Sequence, residues 1–293
     1  MRIVWYHLIK VEVTVMKRPV VSPISVFAVI LFAVLFAISF ANAQEEHPKT
    51  GEPLIAECGK ITSPVNIDAN LSEWKFAVPE IVDVEEQLYS VFKGDWTGPD
   101  DCSGIVYIMY DDKYIYVAGE FKDEELIAGQ TAGNIWQDEC LEIFFDPENI
   151  DIDAAAGHLV HYQFGFAPSG PGDKPQVWNW CNPNAGKAQQ DCSGYVNIAS
   201  KVLSPYTGYI LEASIEIAEL DNLKDIIEPG TVIGYHIAID DADDNIERDL
   251  QITWSSFEAH DQLHFGDLVF GEPLAVSPAS ALTATWGQVK NKD

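Results

Sequence analysis

Residues 133–149, GNIWQDECLEIFFDPEN, set an indole, Trp136, ahead of two carboxylates, Asp138 and Glu142, and then run through Ile143, Phe144 and Phe145 to Asp146 and Pro147. Such a set could serve as a catalytic acid pair, as metal ligands or as one wall of a sugar-binding cleft. In a strand, residues two apart share a face, so Asp138, Cys140, Glu142 and Phe144 point one way and Glu139, Leu141, Ile143 and Phe145 the other. Trp136 has the parity of Glu142. Glycoside hydrolysis needs two carboxyls about 5 Å or about 6.5–9.5 Å apart, whereas four residues of strand separate Asp138 from Glu142 by roughly 13 Å at ~3.3 Å per residue. The pair therefore suits neither mechanism by itself, although carboxylates from different strands could still meet. An indole face with a carboxylate at its rim suits the C–H face and hydroxyls of a pyranose.

A second acidic segment, DDADDNIERD at 240–249, places Asp241, Asp243 and Asn245 at the one-three-five oxygen spacing of a calcium loop. The match stops there, because Ile246 stands where an EF-hand requires glycine and Ile252 where it requires glutamate. A structural calcium in another geometry is the expectation, set against a simple solvated acidic turn. Asp146, Asp151 and Asp153 form a weaker candidate of the same kind. No organic cofactor is expected.

The elements that must position these groups read as β throughout. Runs at 105–110, 114–121, 140–145, 159–166, 195–201, 208–217, 231–239, 250–254 and 268–270 are rich in β-branched and aromatic residues with Gly, Pro and Asp turns between them. One helical turn is expected at 218–223. About nine or more strands with such turns predict an all-β antiparallel sandwich. The stretch 167–190, rich in Pro and Gly and carrying Trp178 and Trp180, reads as a long functional loop.

The first residues predict export. Lys17 and Arg18 after Met16, an almost wholly apolar run at 26–40, and Ala41-Asn42-Ala43 before Gln44 match a signal sequence with its cleavage site. The expected organisation is therefore a signal region at 1–43 with its start at Met16, a linker at 44–53, the β domain at 54–273 and a tail at 274–293. The apolar run is shorter than the ~20 residues that span a bilayer, so no membrane association is expected once the signal is removed. The expected location is secreted or periplasmic.

A formal charge of −29 over 293 residues becomes more negative by three when the basic signal region is removed, and repels nucleic acid and anionic lipid. Of the five cysteines, Cys58, Cys102, Cys140, Cys181 and Cys192, no two have zinc-type spacing. Cys181 and Cys192 flank a loop and are expected to pair, with Cys102–Cys192 as the rival, while Cys140 is expected as a buried free thiol.

Six segments then occur in a telling order: VNIDANLSEWKFA, CSGIVYIMYDDKYIYVAGEFKDEE, IWQDECLEIFFD, GYILEASIEIAEL, IAIDDADDNIERDLQITW and LHFGDLVF. Their order resembles that of family 9 carbohydrate-binding modules of the DOMON-like superfamily, over about 54–273. One departure is Ala69-Asn70 where the family usually has glycine after Asp68, with Asn70 expected to take the left-handed turn. The resemblance implies an immunoglobulin-like sandwich with a sugar ligand, contacts from Trp136 and Glu142, and a second tryptophan closing over the sugar. Trp254 is the best positional match for that ring, with Arg248 as polar partner; Trp178 and Trp180 are the alternatives. It implies a non-catalytic binder of a poly- or oligosaccharide, working alone or beside a carbohydrate-active enzyme. Some DOMON-like domains carry haem b, for which Met109 with His161, near His158, would be the conceivable axial pair; a glycoside hydrolase is the remaining alternative.

Overall fold

The computed structural model describes residues 44–93, 96–150, 161–243 and 248–273. The predicted signal region, the tail, Asp151, Asp153, His158 and Asn245 lie outside them. Fourteen strands form one curled sheet: β1 (Ile55–Lys60), β2 (Pro79–Val82), β3 (Leu88–Lys93), β4 (Ser103–Tyr110), β5 (Tyr114–Lys122), β6 (Cys140–Asp146), β7 (Tyr162–Ala167), β8 (Gln176–Cys181), β9 (Gln190–Asp191), β10 (Val196–Val202), β11 (Tyr209–Glu216), β12 (Val232–Asp241), β13 (Leu250–Thr253) and β14 (Gly266–Pro273). The order is β10-β11-β5-β4-β1-β14-β12-β6-β7-β8-β9, with β2 added beside β4, and β13 linking β12 to β3. Val117 and Leu211 from one half share a core with Ile143, Phe145 and Ile237 from the other, which makes the curled sheet a sandwich. Each of the nine predicted runs overlaps a strand.

The sheet is mixed, where the sequence predicts an antiparallel one. β1 lies between β4 and β14 and runs parallel to both, so the first strand joins the two halves. The residues ahead of it, expected as a linker, are tied down: Glu46 bridges Pro53, Leu54 N–H donates to the Glu45 carbonyl, and the Gln44 amide donates to Asp267 at 3.0 Å. The predicted helical turn is a single 3-10 turn at Ile217–Glu219 followed by turns.

The left-handed residue near the start is Ala69, at φ 57°, and not Asn70, at φ −121°. Left-handed backbone costs a non-glycine residue about 1–2 kcal/mol. The buried carboxylate of Glu212 offsets this by accepting from the N–H groups of Asp68 and Ala69, each at 2.8 Å, and from the Trp74 indole at 2.7 Å.

β6 is buried along its whole length, between β12 and β7. Leu141, Ile143 and Phe145 join the main core, while Cys140 and Phe144 enter two smaller clusters on the other face. That second face carries the candidate chemistry.

Candidate functional site

Glu142 sits at the middle of this face, and its Oε2 accepts from Gln163 Nε2 at 2.8 Å. Gln163 lies on β7 opposite Phe144, two register positions from Gly165, which pairs with Glu142. On the other flank, Asp240 at the end of β12 accepts from Arg248 Nη1, in an ion pair with almost no solvent access, and from Gln251 Nε2 at 2.8 Å. Burial raises the Asp240 carboxyl, Arg248 opposes that rise and the neighbouring Glu142 adds to it. Arg248 also places its guanidinium 5.0 Å from the Trp136 ring centre, within cation–π range. The network holds Trp136 and Arg248 together before any ligand arrives.

Trp136 stands in the 3-10 turn Ala132–Gln137 that leads into β6. Trp180 approaches from β8, with its indole N–H donating to the Gly133 carbonyl at 2.9 Å and its backbone carbonyl accepting from Gln189. A side chain at position 165 would collide with that ring, since a Cβ on Gly165 would lie 2.3 Å from it. Glycine in the middle of β7 therefore lets an indole lie close on the sheet. Both indoles line a cleft of about 530 Å³, together with Tyr89, Glu142, Gln163, Cys181, Gln189, Arg248, Gln251, Glu258 and His260.

The structure thus brings together Trp136, Glu142, Arg248 and Trp180. Trp254 does not join them. It shares the parity of Ile252, is 2 % exposed and packs edge-on against Tyr235 in the main core, so the second indole that lines the cleft is Trp180, from β8. Trp178 is half-buried beside Gly133 and does not line the cleft. The expected loop at 167–190 holds two strands, β8 and β9, because the alternation of Val177, Asn179 and Cys181 with the indoles lets it pair with β7. Asp138 lies outside the cleft lining and accepts from the Gln130 N–H at 2.7 Å, closing the loop before β6.

Sequence reasoning missed Gln163, Gln251, Tyr89, Gln189, Glu258 and His260. A signal was present for one of them: in HYQFGFA, Gln163 alternates with the apolar Tyr162, Phe164 and Phe166. The other residues come from segments far apart in the chain.

The acidic candidate is assembled from two segments. Asp101, just before β4, joins Asp241 and Asp243, with one oxygen from each within 4.8 Å of the others. Asp241 is buried, Asp101 Oδ1 and Asp241 Oδ2 have no hydrogen-bond partner, and Glu139 nearby is buried with only the backbone N–H groups of Ile127 and of its own residue beside its carboxyl. Burial, then Asp123, Asp243 and Asp101, push the Asp241 carboxyl up to about 9. Burial followed by Asp123 pushes Glu139 to about 10. This donor set of hard oxygens suits calcium. Asp146 instead caps its own turn, accepting from the N–H groups of Glu148 and Ile150.

The conceivable haem pair is kept apart. Met109 on β4 packs with Val65, Trp74 and Tyr116, while His161 beside β7 packs with Phe144, His260 and Phe265. Four strands, β1, β14, β12 and β6, lie between them in the sheet. The expected Cys181–Cys192 bridge is absent, and all five cysteines are free thiols. Cys181 ends β8 in the small cluster under the cleft, whereas Cys192 and Cys102 are in the main core. Cys140 is a buried free thiol, as the sequence predicts.

Comparison with known proteins agrees with this architecture. Residues 82–272 match the family described as Carbohydrate family 9 binding domain-like, and the chain belongs to that family. It is 24% identical over 217 residues to exoglucanase XynX of Acetivibrio thermocellus, covering 72% of this chain and 18% of that protein. It is 23% identical over 218 residues to endo-1,4-beta-xylanase A of Thermoanaerobacterium saccharolyticum, covering 72% and 16%. The chain therefore spans less than a fifth of the length of these curated relatives. The fold is similar to a family 9 carbohydrate-binding module from Caldicellulosiruptor kristjanssonii solved with cellotriose (TM-score 0.52, 18% identity, 78% of this chain and 100% of that one). The same holds for that organism's module solved with glucose (TM-score 0.53, 18% identity, 76% and 99%).

Proposed function

We propose that this family 9 chain is an exported, non-catalytic protein that binds a neutral gluco- or xylo-configured oligosaccharide in the cleft between Trp136 and Trp180. One observation carries the reading. Two indoles line the same cleft as a carboxylate, a guanidinium and two amides that are already hydrogen-bonded to one another or to Asp240. Indole faces take the C–H faces of a pyranose, and the Glu142, Gln163 and Arg248 groups take its hydroxyls. The sugar class follows the relatives: a module solved with glucose or cellotriose, and proteins named as an exoglucanase and a xylanase.

Calcium at Asp101, Asp241 and Asp243 belongs to the same reading, as a structural ion that neutralises carboxylates on the face opposite the cleft. Export rests on the Lys17-Arg18, apolar and Ala-Asn-Ala pattern of the first residues. Among the described residues no helix is long and apolar enough to cross a membrane. A partner or companion domain that cleaves polysaccharide would place the cleft on its substrate.

The test is calorimetric titration with glucose, cellobiose, cellotriose, xylobiose and xylotriose, together with a reducing-sugar assay on the corresponding polymers. Binding without release of reducing ends is the expected result. Absence of heat with every sugar refutes the ligand, and sustained release of reducing ends refutes the non-catalytic role. Mass measurement on exported protein should show a chain that begins at Gln44.

A further inference from the structure

Under the cleft, the side chains of His161, Cys181 and His260 each bring one donor atom to within 4.8 Å of the others. They come from three places: the residue just ahead of β7, the last residue of β8, and the loop after β13. His161 is fully buried, and neither of its ring nitrogens has a hydrogen-bond partner. The Gln262 amide lies within reach of the ring, but no hydrogen bond of good geometry joins them. Buried polar groups are nearly always well satisfied, so an imidazole without a well-formed bond, set beside a thiol and a second imidazole, favours a ligand that engages all three. Cys181 is buried, forms no disulfide, and its thiol donates to Gln163 Oε1 at 3.4 Å.

We propose that His161, Cys181 and His260 bind one zinc-class divalent cation at the floor of the cleft, with the fourth coordination position directed into the cleft. The donor set decides the class of ion. Imidazole and thiolate select zinc and similar borderline-soft metals, whereas the carboxylates around Asp241 select hard cations. Bond lengths of ~2.0 Å to nitrogen and ~2.3 Å to sulfur put tetrahedral donors roughly 3.3–3.5 Å apart. The three donors, all within 4.8 Å of one another, must draw in to reach that spacing. Binding forms a metal–sulfur bond as the Cys181 thiol proton passes to solvent, with no change of oxidation state.

The surroundings suit such a centre. Phe144 lies 5.8 Å from the His161 ring and 5.7 Å from that of His260, and Phe265 lies 5.8 Å from His161. An apolar shell of this kind limits water and lowers the local dielectric. Cys181 and His260 both line the cleft, which leaves the open side toward a ligand oxygen. Nothing in the donor geometry depends on the sugar reading.

Cobalt(II) is the probe. Titrated into purified protein stripped of metal by a chelator, it should give a thiolate-to-cobalt charge-transfer band in the near ultraviolet and the visible bands of four-coordinate cobalt, saturating at a single equivalent and bleached by zinc. Cys181→Ser should abolish the charge-transfer band, His260→Ala should weaken cobalt binding at least tenfold, and Asp241→Asn and Cys140→Ser should leave the band in place. Zinc should also protect Cys181 from alkylation in the unmutated protein, read by peptide mass spectrometry, which keeps the test independent of whether any variant folds. No sulfur band, a band that survives Cys181→Ser, or alkylation of Cys181 at an unchanged rate with zinc present would each overturn the site. A sugar titration on the same sample separates the two ideas: sugar binding without the band removes only the metal site, and the band without sugar binding removes only the carbohydrate reading.

Discussion

Asp240 and Asp241 are consecutive residues of β12, both almost wholly buried, at 1 % and 2 % exposed. Alternation along the strand sends them to opposite faces. On the cleft face Asp240 meets Arg248 and Gln251. On the other, Asp241 meets Asp101, Asp123 and Asp243, and among the described residues no lysine or arginine forms an ion pair with it. Burial is equal and the company differs. The first arrangement gives the buried carboxylate a cation and suits a hydroxyl-bearing ligand, while the second must either keep protons or take up a cation.

Breaking the balanced side should have the largest effect. Arg248→Leu leaves Asp240 buried beside Glu142 without its cation, and removal of one partner of a buried pair costs about 3–5 kcal/mol. Urea unfolding at neutral pH should show that loss. Adding Asp240→Asn to the same chain should recover most of it, since no charge then remains to be compensated. A loss below about 1 kcal/mol would mean that the pair is not a stability element and that the contrast with Asp241 is mistaken.

The unbalanced side should respond to calcium instead. An ion that binds only the folded chain stabilises it by about 2.7 kcal/mol at a hundredfold excess over its dissociation constant. Calcium should raise the melting temperature, a chelator should lower it, and Asp241→Asn should abolish the response while stabilising the metal-free protein at neutral pH, because the amide has neither a charge to bury nor a proton to hold. Identical melting with calcium and with chelator would refute the site.

The same contrast has a pH signature in the metal-free protein. Burial raises Asp123 to about 7 and Asp241 to about 9, above their values in the unfolded chain, so the folded state holds the protons more tightly. A raised pKa contributes stability that is complete below the unfolded value and is lost as pH climbs through the folded one. These carboxyls therefore remove stability from about pH 4 toward pH 9, while His161 and His236, which burial lowers to about 4 and about 3, act the other way up to about pH 6.5. The loss is read between about pH 7 and pH 9, where saturating calcium should flatten the slope. A metal-free slope of the opposite sign would show that these carboxylates are ionised without cost.

How much of this was legible follows from the range of each signal. Alternation is local, so the β architecture and both faces of β6 could be read, with Glu142 on one and Ile143 on the other. Strands that begin at a proline, as β2 does, or lie among Asn, Gly and Pro, as β8 does, have no such signature until a partner strand pairs with them. The site was half legible for the same reason. Trp136 and Glu142 sit on one segment and carry their own geometry. The identity of the second indole depends on the β8–β7 register and on the space left by Gly165, and parity with Ile252, readable once the core face of β13 is known, sends Trp254 inward. Asp101 was invisible as a metal donor because it lies 140 positions from Asp241.

The smallest stability effect belongs to the residue that should matter most to binding. Trp136 is only half-buried, and Arg248 already covers part of its ring. Trp136→Ala should therefore cost about 1 kcal/mol or less, against the ~3–5 kcal/mol expected for truncating an indole such as Trp254 in the core. Its effect on affinity should be larger, because the loss of a stacking surface is felt only when a ring is there to stack, and at least a tenfold weakening is expected for the best sugar found by titration. Glu142→Gln keeps the shape of the cleft and removes a charged acceptor, so it should weaken the same sugar less than Trp136→Ala does. Calorimetry on folded variants reads both effects apart from stability. A Trp136→Ala protein that melts like the parent and binds every tested sugar equally well would place the recognition surface away from β6, and with it the role assigned to the Arg248–Asp240 network.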